Sequence, residues 1–290
     1  MLSYLHGYHA GNAADVHKHS VLIFCLEYLK KKEKPVLCVD THAGAGFYNL
    51  RNKEWEKGLG RLLKITDDLI EMPSMLASYL KIISADRSVP SLYSGSPAIM
   101  AKILGKGDRL VCFELHPREA ETLKTSMAEI GYHTAPDIGG IAKPNIEVRR
   151  EDGPVGLKSL LPPPSRRGLI LIDPSWEEKN EYENIPLSVQ SGLKRFPEGT
   201  FIIWYPLLAL PKSKVSVSEP IQDILFNLSK AKRCRAELNL QISKENMYGC
   251  GLVIYNPPWT LRSALEKTLP WLAKNLGEKG ASWRLDWESV

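Results

Sequence analysis

Long hydrophobic runs are missing from this chain. Its most apolar stretches, 21–26 and 201–210, fall short of the roughly 20 residues a membrane helix needs, and Pro206 interrupts the second. The opening residues, M-L-S-Y-L-H-G-Y-H-A, lack the basic and apolar regions of a signal peptide. Cysteine is sparse. Cys25, Cys38, Cys112, Cys234 and Cys250 are scattered and odd in number, so they suggest neither a zinc pattern nor a disulfide framework. Cys38 and Cys112 lie in apolar runs, where reduced thiols act as small hydrophobes, and a reducing, cytoplasmic setting is expected. Internal repeats and low-complexity segments are absent as well. Charge of one sign is in small excess: +5 permits an anionic partner without requiring one. Neither a membrane nor a metal partner is expected, and the chain reads as a monomer.

What is present suits a large α/β domain. A chain of 290 residues, 43% of them apolar, can bury about 75% of its unfolded surface. Residues 14–33 read as an amphipathic helix with Leu22, Leu26 and Leu29 on one stripe. Strands are expected at 35–40, 109–114, 145–150, 168–173, 200–205, 235–242 and 250–255, with helices at 117–131, 219–232 and 260–276. Alternating strands and helices, several strands apolar throughout, imply a mostly parallel Rossmann-like sheet covered on both faces. Residues 50–95 break the rhythm with short helical pieces and read as a small helical insertion. This gives residues 1–49 as the first part of the main domain and 96–290 as its remainder.

In an open parallel sheet the ligand sits beyond the carboxyl ends of the strands. Those ends carry Asp40, Glu114, Asp152 and Asp173, with Gly44-Ala45-Gly46 just after the first. Any one acid there is commonly a turn former; four together suggest a pocket rimmed with acceptors. Gly44 and Gly46 let backbone approach a ligand. The third glycine of a dinucleotide fingerprint is missing, and no Gly-Lys-Ser/Thr follows. The pocket therefore suits S-adenosylmethionine better than NAD, with Glu114 placed to accept from ribose hydroxyls. Glu114 lies 70 residues after Gly44 rather than the usual 20 or so, and the helical insertion accounts for the excess.

Residues 168–177, G-L-I-L-I-D-P-S-W-E, match what methylation of an exocyclic amine requires. The adenine N6 lone pair is delocalised into the ring. A carboxylate (Asp173) and a backbone carbonyl (Pro174), both accepting from the NH2, would localise it and aim it at a methyl donor. Trp176 would stack on the extruded base, worth roughly 1–3 kcal/mol. A second Asn-Pro-Pro-Trp, 256–259, reads as a structural turn. The N-terminal segment is dense in Tyr4, His6, Tyr8, His9, His17, Lys18 and His19. His17 and His19 do not share a helix face, so a metal site is not expected; these residues, Tyr4, His6 and Lys18 among them, instead suit contact with RNA or closure over the donor. Asp15 reads as a helix N-cap. The basic clusters Lys30–Lys34, Arg149-Arg150, Arg166-Arg167 and Lys230–Arg235 could contact phosphates.

The segments H-A-G-N-A-A-D-V-H-K-H (9–19), D-T-H-A-G-A-G (40–46), G-S-P (95–97), F-E-L-H-P (113–117), E-D-G (151–153) and R-R-G-L-I-L-I-D-P (166–174) together resemble the RlmJ family of bacterial 23S rRNA adenine-N6 methyltransferases. The likeness runs the length of the chain. It implies a class-I methyltransferase fold with a small helical insertion, S-adenosylmethionine as donor and one adenine of 23S rRNA as acceptor. It further implies that His19, His42, Ser96, Glu114, Asp152 and Gly153 contact the donor, that Asp173 is the catalytic acceptor and that Tyr4 touches the RNA. Family members usually carry Asp-Pro-Pro-Tyr where this chain has Asp-Pro-Ser-Trp. That departure leaves one alternative from another class, an RNA-binding member with weak or lost catalysis; a third reading, an NAD-linked oxidoreductase, is disfavoured by the missing third glycine.

Overall fold

The computed structural model describes residues 7, 9–50, 53–67, 71–84, 92–133, 143–208, 220–241 and 247–289. In chain order the elements are α1 (Ala13–Lys30), β1 (Leu37–Asp40), β2 (Phe47–Asn49), a π-helical turn (Glu56–Gly60), α2 (Arg61–Asp67), α3 (Ser74–Ser84), β3 (Leu92–Ser94) and α4 (Ser96–Ile103). Then follow β4 (Arg109–Phe113), α5 (Pro117–His133), β5 (Asn145–Arg149), α6 (Gly153–Gly156), β6 (Gly168–Ile172), α7 (Glu181–Arg195) and β7 (Thr200–Leu208). The chain ends with α8 (Ile221–Phe226), β8 (Arg233–Asn239), β9 (Met247–Tyr255), α9 (Leu261–Leu276) and β10 (Ser282–Glu288).

One eight-stranded sheet runs β10-β8-β9-β7-β6-β1-β4-β5. Strands β5, β4, β1, β6 and β7 are mutually parallel; β9 is antiparallel to β7 and β8, and β10 to β8. This is the Rossmann-like α/β arrangement that the alternation of elements demands. The period of two is visible in β6. Leu169 and Leu171 face one core with α1, α4 and α9, while Ile170 and Ile172 face the other with Ile185, Val189 and Leu193 of α7. Burying each such side chain contributes roughly 1.5–3 kcal/mol, so both faces of the sheet must be covered. From β1 the chain builds outward to β4 and β5, then crosses back to β6 on the other side of β1. That reversal opens a crevice beyond the carboxyl ends of β1 and β6.

Several elements differ from the sequence reading. The front half of α1 is buried on every side, Asp15, His17, Lys18 and His19 included, so it is not amphipathic there. Its N-cap is Asn12, whose side chain accepts from the Asp15 N–H at 3.0 Å; Asp15 instead reaches back to accept from Gly11 at 2.9 Å. The two residues satisfy two orphan amides reciprocally. The helix expected at 219–232 is only α8, because the Ser229 hydroxyl takes the Ala231 N–H and turns the chain into β8. Residues 96–103, for which no helix was expected, form α4, with Pro97 in its first turn. Helix α7 and strand β10 were not anticipated. β2, just before residue 50, pairs antiparallel with β3, and Leu62, Leu76 and Tyr79 of the intervening helices enter the same core as α1. Among the described residues no helix is long and apolar enough to cross a membrane.

Candidate active site

A cavity of about 920 Å³ opens at the carboxyl ends of β1, β4 and β6, where the start of α1 meets them. Asp173 and Pro174 line it directly after β6, with Ser175 and Trp176 beyond. On the other side stand Glu114 after β4, Asp152 and Gly153 after β5, and His42 and Gly44 after β1. Ser96, His19 and Lys18 complete the wall. The fold thus gathers most of the residues expected to hold donor and amine. Tyr4 and His6 lie outside the described residues.

Two glycines admit the backbone here because nothing larger fits. Gly44 has φ +60°, and a Cβ on it would lie 2.0 Å from the Tyr48 hydroxyl. A Cβ on Gly153 would lie 2.1 Å from the Thr41 carbonyl oxygen, so β1 and α6 approach as closely as they do only because Gly153 is bare. Gly46 plays a different part from the one expected. It does not line the cavity; its φ of +83° and tight packing against Leu123, Ser126 and Met127 let the loop dock on α5.

Glu114 accepts from the Gly44 N–H at 2.8 Å with one oxygen and from the His116 N–H at 2.7 Å with the other. It holds the glycine loop in place and keeps further lone pairs toward the cavity. Asp152 caps α6 by accepting from Val155 at 3.0 Å while facing the same space.

The polar centre of the site is an ion network. The Lys18 ammonium lies 2.5 Å from Asp173 Oδ2 and 2.9 Å from Asp15 Oδ1, all three side chains largely buried. Burial works against the lysine charge, but the two carboxylates outweigh it and hold its pKa above the ordinary range. Lys18 is therefore committed to carboxylates rather than offered to a phosphate, which corrects its assignment to the RNA. Asp173 does not turn back to cap its own chain; Lys18 fixes one of its oxygens at the cavity wall. His19 Nδ1 meets the Tyr93 hydroxyl at 2.8 Å. His17 points instead into the core beside Cys250, and burial pushes it down to about 3.

Beneath the network sits Asp40, fully buried, its Oδ1 accepting from the His42 N–H at 3.2 Å and its Oδ2 meeting no donor among the described residues. Burial pushes its pKa up to about 7, only partly offset by the Ser96 hydroxyl nearby. The folded state then retains a proton that the unfolded chain releases near pH 4, so this group's contribution to stability is lost as pH rises toward 7. Asp40→Asn removes that dependence. Urea melts should show the variant gaining on the parent by about 2–3 kcal/mol between pH 5 and pH 8. A constant difference across that window would remove the buried-acid assignment.

Trp176 departs from expectation. It adopts φ +58°, is only 4% exposed, donates from its indole to the Trp204 carbonyl at 3.0 Å and meets Tyr182 edge-on. Its ring is packed into the core between β6 and α7, leaving little face for stacking. A left-handed backbone at a bulky residue costs of order 1–3 kcal/mol and clusters at functional sites. Ser175 bonds to Glu181 at 3.2 Å, and Glu181, half-buried with its pKa raised by burial, lines the cavity with Asn184. The sequence reading missed both. Their signal was an acid and an amide three residues apart, just past the Asp-Pro-Ser-Trp turn.

The remaining expectations resolve by topology. Asn256 of the second Asn-Pro-Pro-Trp donates to the Pro197 and Gly199 carbonyls at 2.6 and 2.7 Å, away from the cavity, as a structural turn. The cluster Lys30–Lys34 precedes β1 and Arg166-Arg167 precede β6, so both lie at the amino ends of the parallel strands, opposite the cavity. All five cysteines are buried and free. No group of three or more metal-ligating side chains occurs among the described residues.

Residues 33–289 match the model of a protein family described as "Ribosomal RNA large subunit methyltransferase D, RlmJ". The chain is 36% identical to "Ribosomal RNA large subunit methyltransferase J" of Haemophilus influenzae, over 99% of each. It is 34% identical to the protein of the same name from Escherichia coli K12, over 98% of this chain and 99% of that one. A crystal structure of a protein from Legionella pneumophila superposes with a TM-score of 0.82 at 34% identity, covering 97% of this chain and 99% of the other.

Proposed function

Given that the chain belongs to the RlmJ family of ribosomal RNA large subunit methyltransferases, we propose that it methylates the N6 amine of one adenine in 23S rRNA. Family membership supports methylation of ribosomal RNA with S-adenosylmethionine as donor. The finer reading rests on one observation: Asp173, an acceptor for an amine, and Glu114, an acceptor for ribose hydroxyls, face a single cavity from either side of β1.

The residues present fit the donor. Gly44 and Gly153 put bare backbone at the cavity, where a Cβ would collide with Tyr48 and Thr41, and Glu114 and Asp152 offer acceptors at its rim. Bound there, the donor supplies a methyl group already activated on a sulfonium. The chain's own part is positioning. Lys18 anchors one oxygen of Asp173, leaving the other, with the Pro174 carbonyl, to accept from the two amine hydrogens. Once methylated the amine would carry one proton too many, and Asp173 would take it and pass it to water. Alignment and electrostatics carry most of the barrier reduction. Residues 50–95, between the glycine loop and β4, fit an insertion built onto this frame.

Mass-spectrometric mapping of N6-methyladenosine in unmodified 23S rRNA, incubated with protein and labelled donor, tests the reading; one new site is expected. The covered face of Trp176 favours one second reading, a member that binds RNA and donor without turnover. RNA binding and S-adenosylhomocysteine affinity by calorimetry, with no methyl transfer, would establish it. Binding of NAD in place of S-adenosylhomocysteine would sink both. Glu114→Gln loses charge-assisted hydrogen bonds, so its S-adenosylhomocysteine Kd should rise about 10- to 100-fold. An unchanged Kd would take Glu114 out of the donor site.

A further inference from the structure

Five loops at the edge of the sheet remote from the cavity are stitched into one surface. Arg167 donates to the carbonyls of Leu29, Lys32 and Lys34, joining the end of α1 to the start of β6. Arg166 pairs with Glu198 at 2.5 Å, adding the loop before β7. Asn256 donates to Pro197 and Gly199 through its side chain and to the Lys232 carbonyl through its N–H, at 2.8 Å, drawing in the turns before β8 and α9.

Along this edge Lys32, Lys34, Lys194, Arg195 and Lys230 are exposed, and among the described residues none meets a carboxylate within ion-pair distance. In the turn before α9, whose Asn256 bonds the Lys232 carbonyl, Trp259 is 70% exposed. Lysines and arginines at helix carboxyl ends commonly offset the helix dipole, which accounts for Lys194 and Arg195 at the end of α7. It does not account for Lys32, Lys34 and Lys230, which lie outside the helices, or for a bare indole among cations. Unpaired cations interleaved with an exposed aromatic are the chemistry of phosphate contact plus base stacking.

We infer that this edge is a second RNA-binding surface, holding a phosphate backbone on the lysine-rich loops and a base on Trp259. The RNA's identity as substrate rests on the proposed function. Strands of five residues separate the edge from the cavity by roughly 17 Å, so only a folded, extended RNA engages both. Near the cavity Lys18 is buried in its own ion network and Arg149 is paired with Glu147, which leaves Lys158 and Arg150 as exposed cations on that side for a shorter contact.

The test measures affinity of the full chain for deproteinised 23S rRNA across a salt series. In Lys32→Gln/Lys34→Gln/Lys194→Gln/Arg195→Gln, affinity should fall about tenfold or more, and the slope of log K against log salt should shrink by about 3. Trp259→Ala should weaken binding about tenfold with the slope unchanged. Calorimetry with S-adenosylhomocysteine confirms that each variant keeps its cavity. Equal affinity and slope in parent and charge variant overturn the surface, whatever the methylation result. A parent that shows these differences yet methylates nothing keeps the surface and sinks the enzyme reading instead.

Discussion

Asp173→Ala should cut methyl transfer to 23S rRNA by about 10³-fold while S-adenosylhomocysteine binding changes little. In the proposed reaction the carboxylate touches the amine, not the donor, so its loss would remove transition-state alignment rather than binding of the methyl source. Deleting one preorganised polar contact at a reacting centre typically costs 10²–10³ in kcat. Here the acceptor is also held rigid by a 2.5 Å bond to Lys18, which places the effect at the upper end. Asp173→Asn keeps an acceptor oxygen but adds a donor that opposes the amine, so it should recover only part of the loss. Single-turnover transfer of labelled methyl groups separates the cases. Alanine activity within about tenfold of the parent would show that the amine is held elsewhere.

Lys18→Met should be the most destabilising single change at the site. It leaves Asp15 and Asp173 as buried carboxylates without their cation, the situation in which breaking one partner of an ion pair costs about 3–5 kcal/mol. For a chain of this size the melting temperature should fall by about 10 °C. The sign of the pH response is a second readout. Freed of the ammonium, the two acids prefer to be protonated when folded, so the deficit should shrink as pH is lowered and deepen as it rises. Adding Asp15→Asn to Lys18→Met should restore part of the stability, because one uncompensated charge is then gone. A loss below about 1 kcal/mol for Lys18→Met would show that water already screens the network.

The site was legible in part because strand-end chemistry is local. Asp40, Glu114 and Asp173 end or follow apolar runs that read as interior strands, Asp152 follows the edge strand β5, and in a parallel sheet such positions share one edge. The glycine loop was readable too, although only the packing shows that Gly44 serves the cavity and Gly46 the contact with α5. The sequence reading gave the basic clusters a phosphate role without an edge, and the topology supplies the edge. Residues just before a parallel strand lie at the opposite edge from residues just after it, and Lys30–Lys34 and Arg166-Arg167 all precede strands.

The sequence alone determined the class of fold, the order of its inner strands and the chemical type of each strand-end residue, because periodicity and turn chemistry act over a few neighbours. Only the tertiary structure decided which of those residues meet. Lys18 and Asp173, 155 residues apart, become partners because α1 lays its buried first turns across the end of β6. Trp176 stays at the cavity wall but has its ring largely covered, because the carbonyl of Trp204 and the ring of Tyr182 claim it. Such pairings depend on how faces pack at a distance along the chain, and that is settled by burial and charge compensation across the whole core.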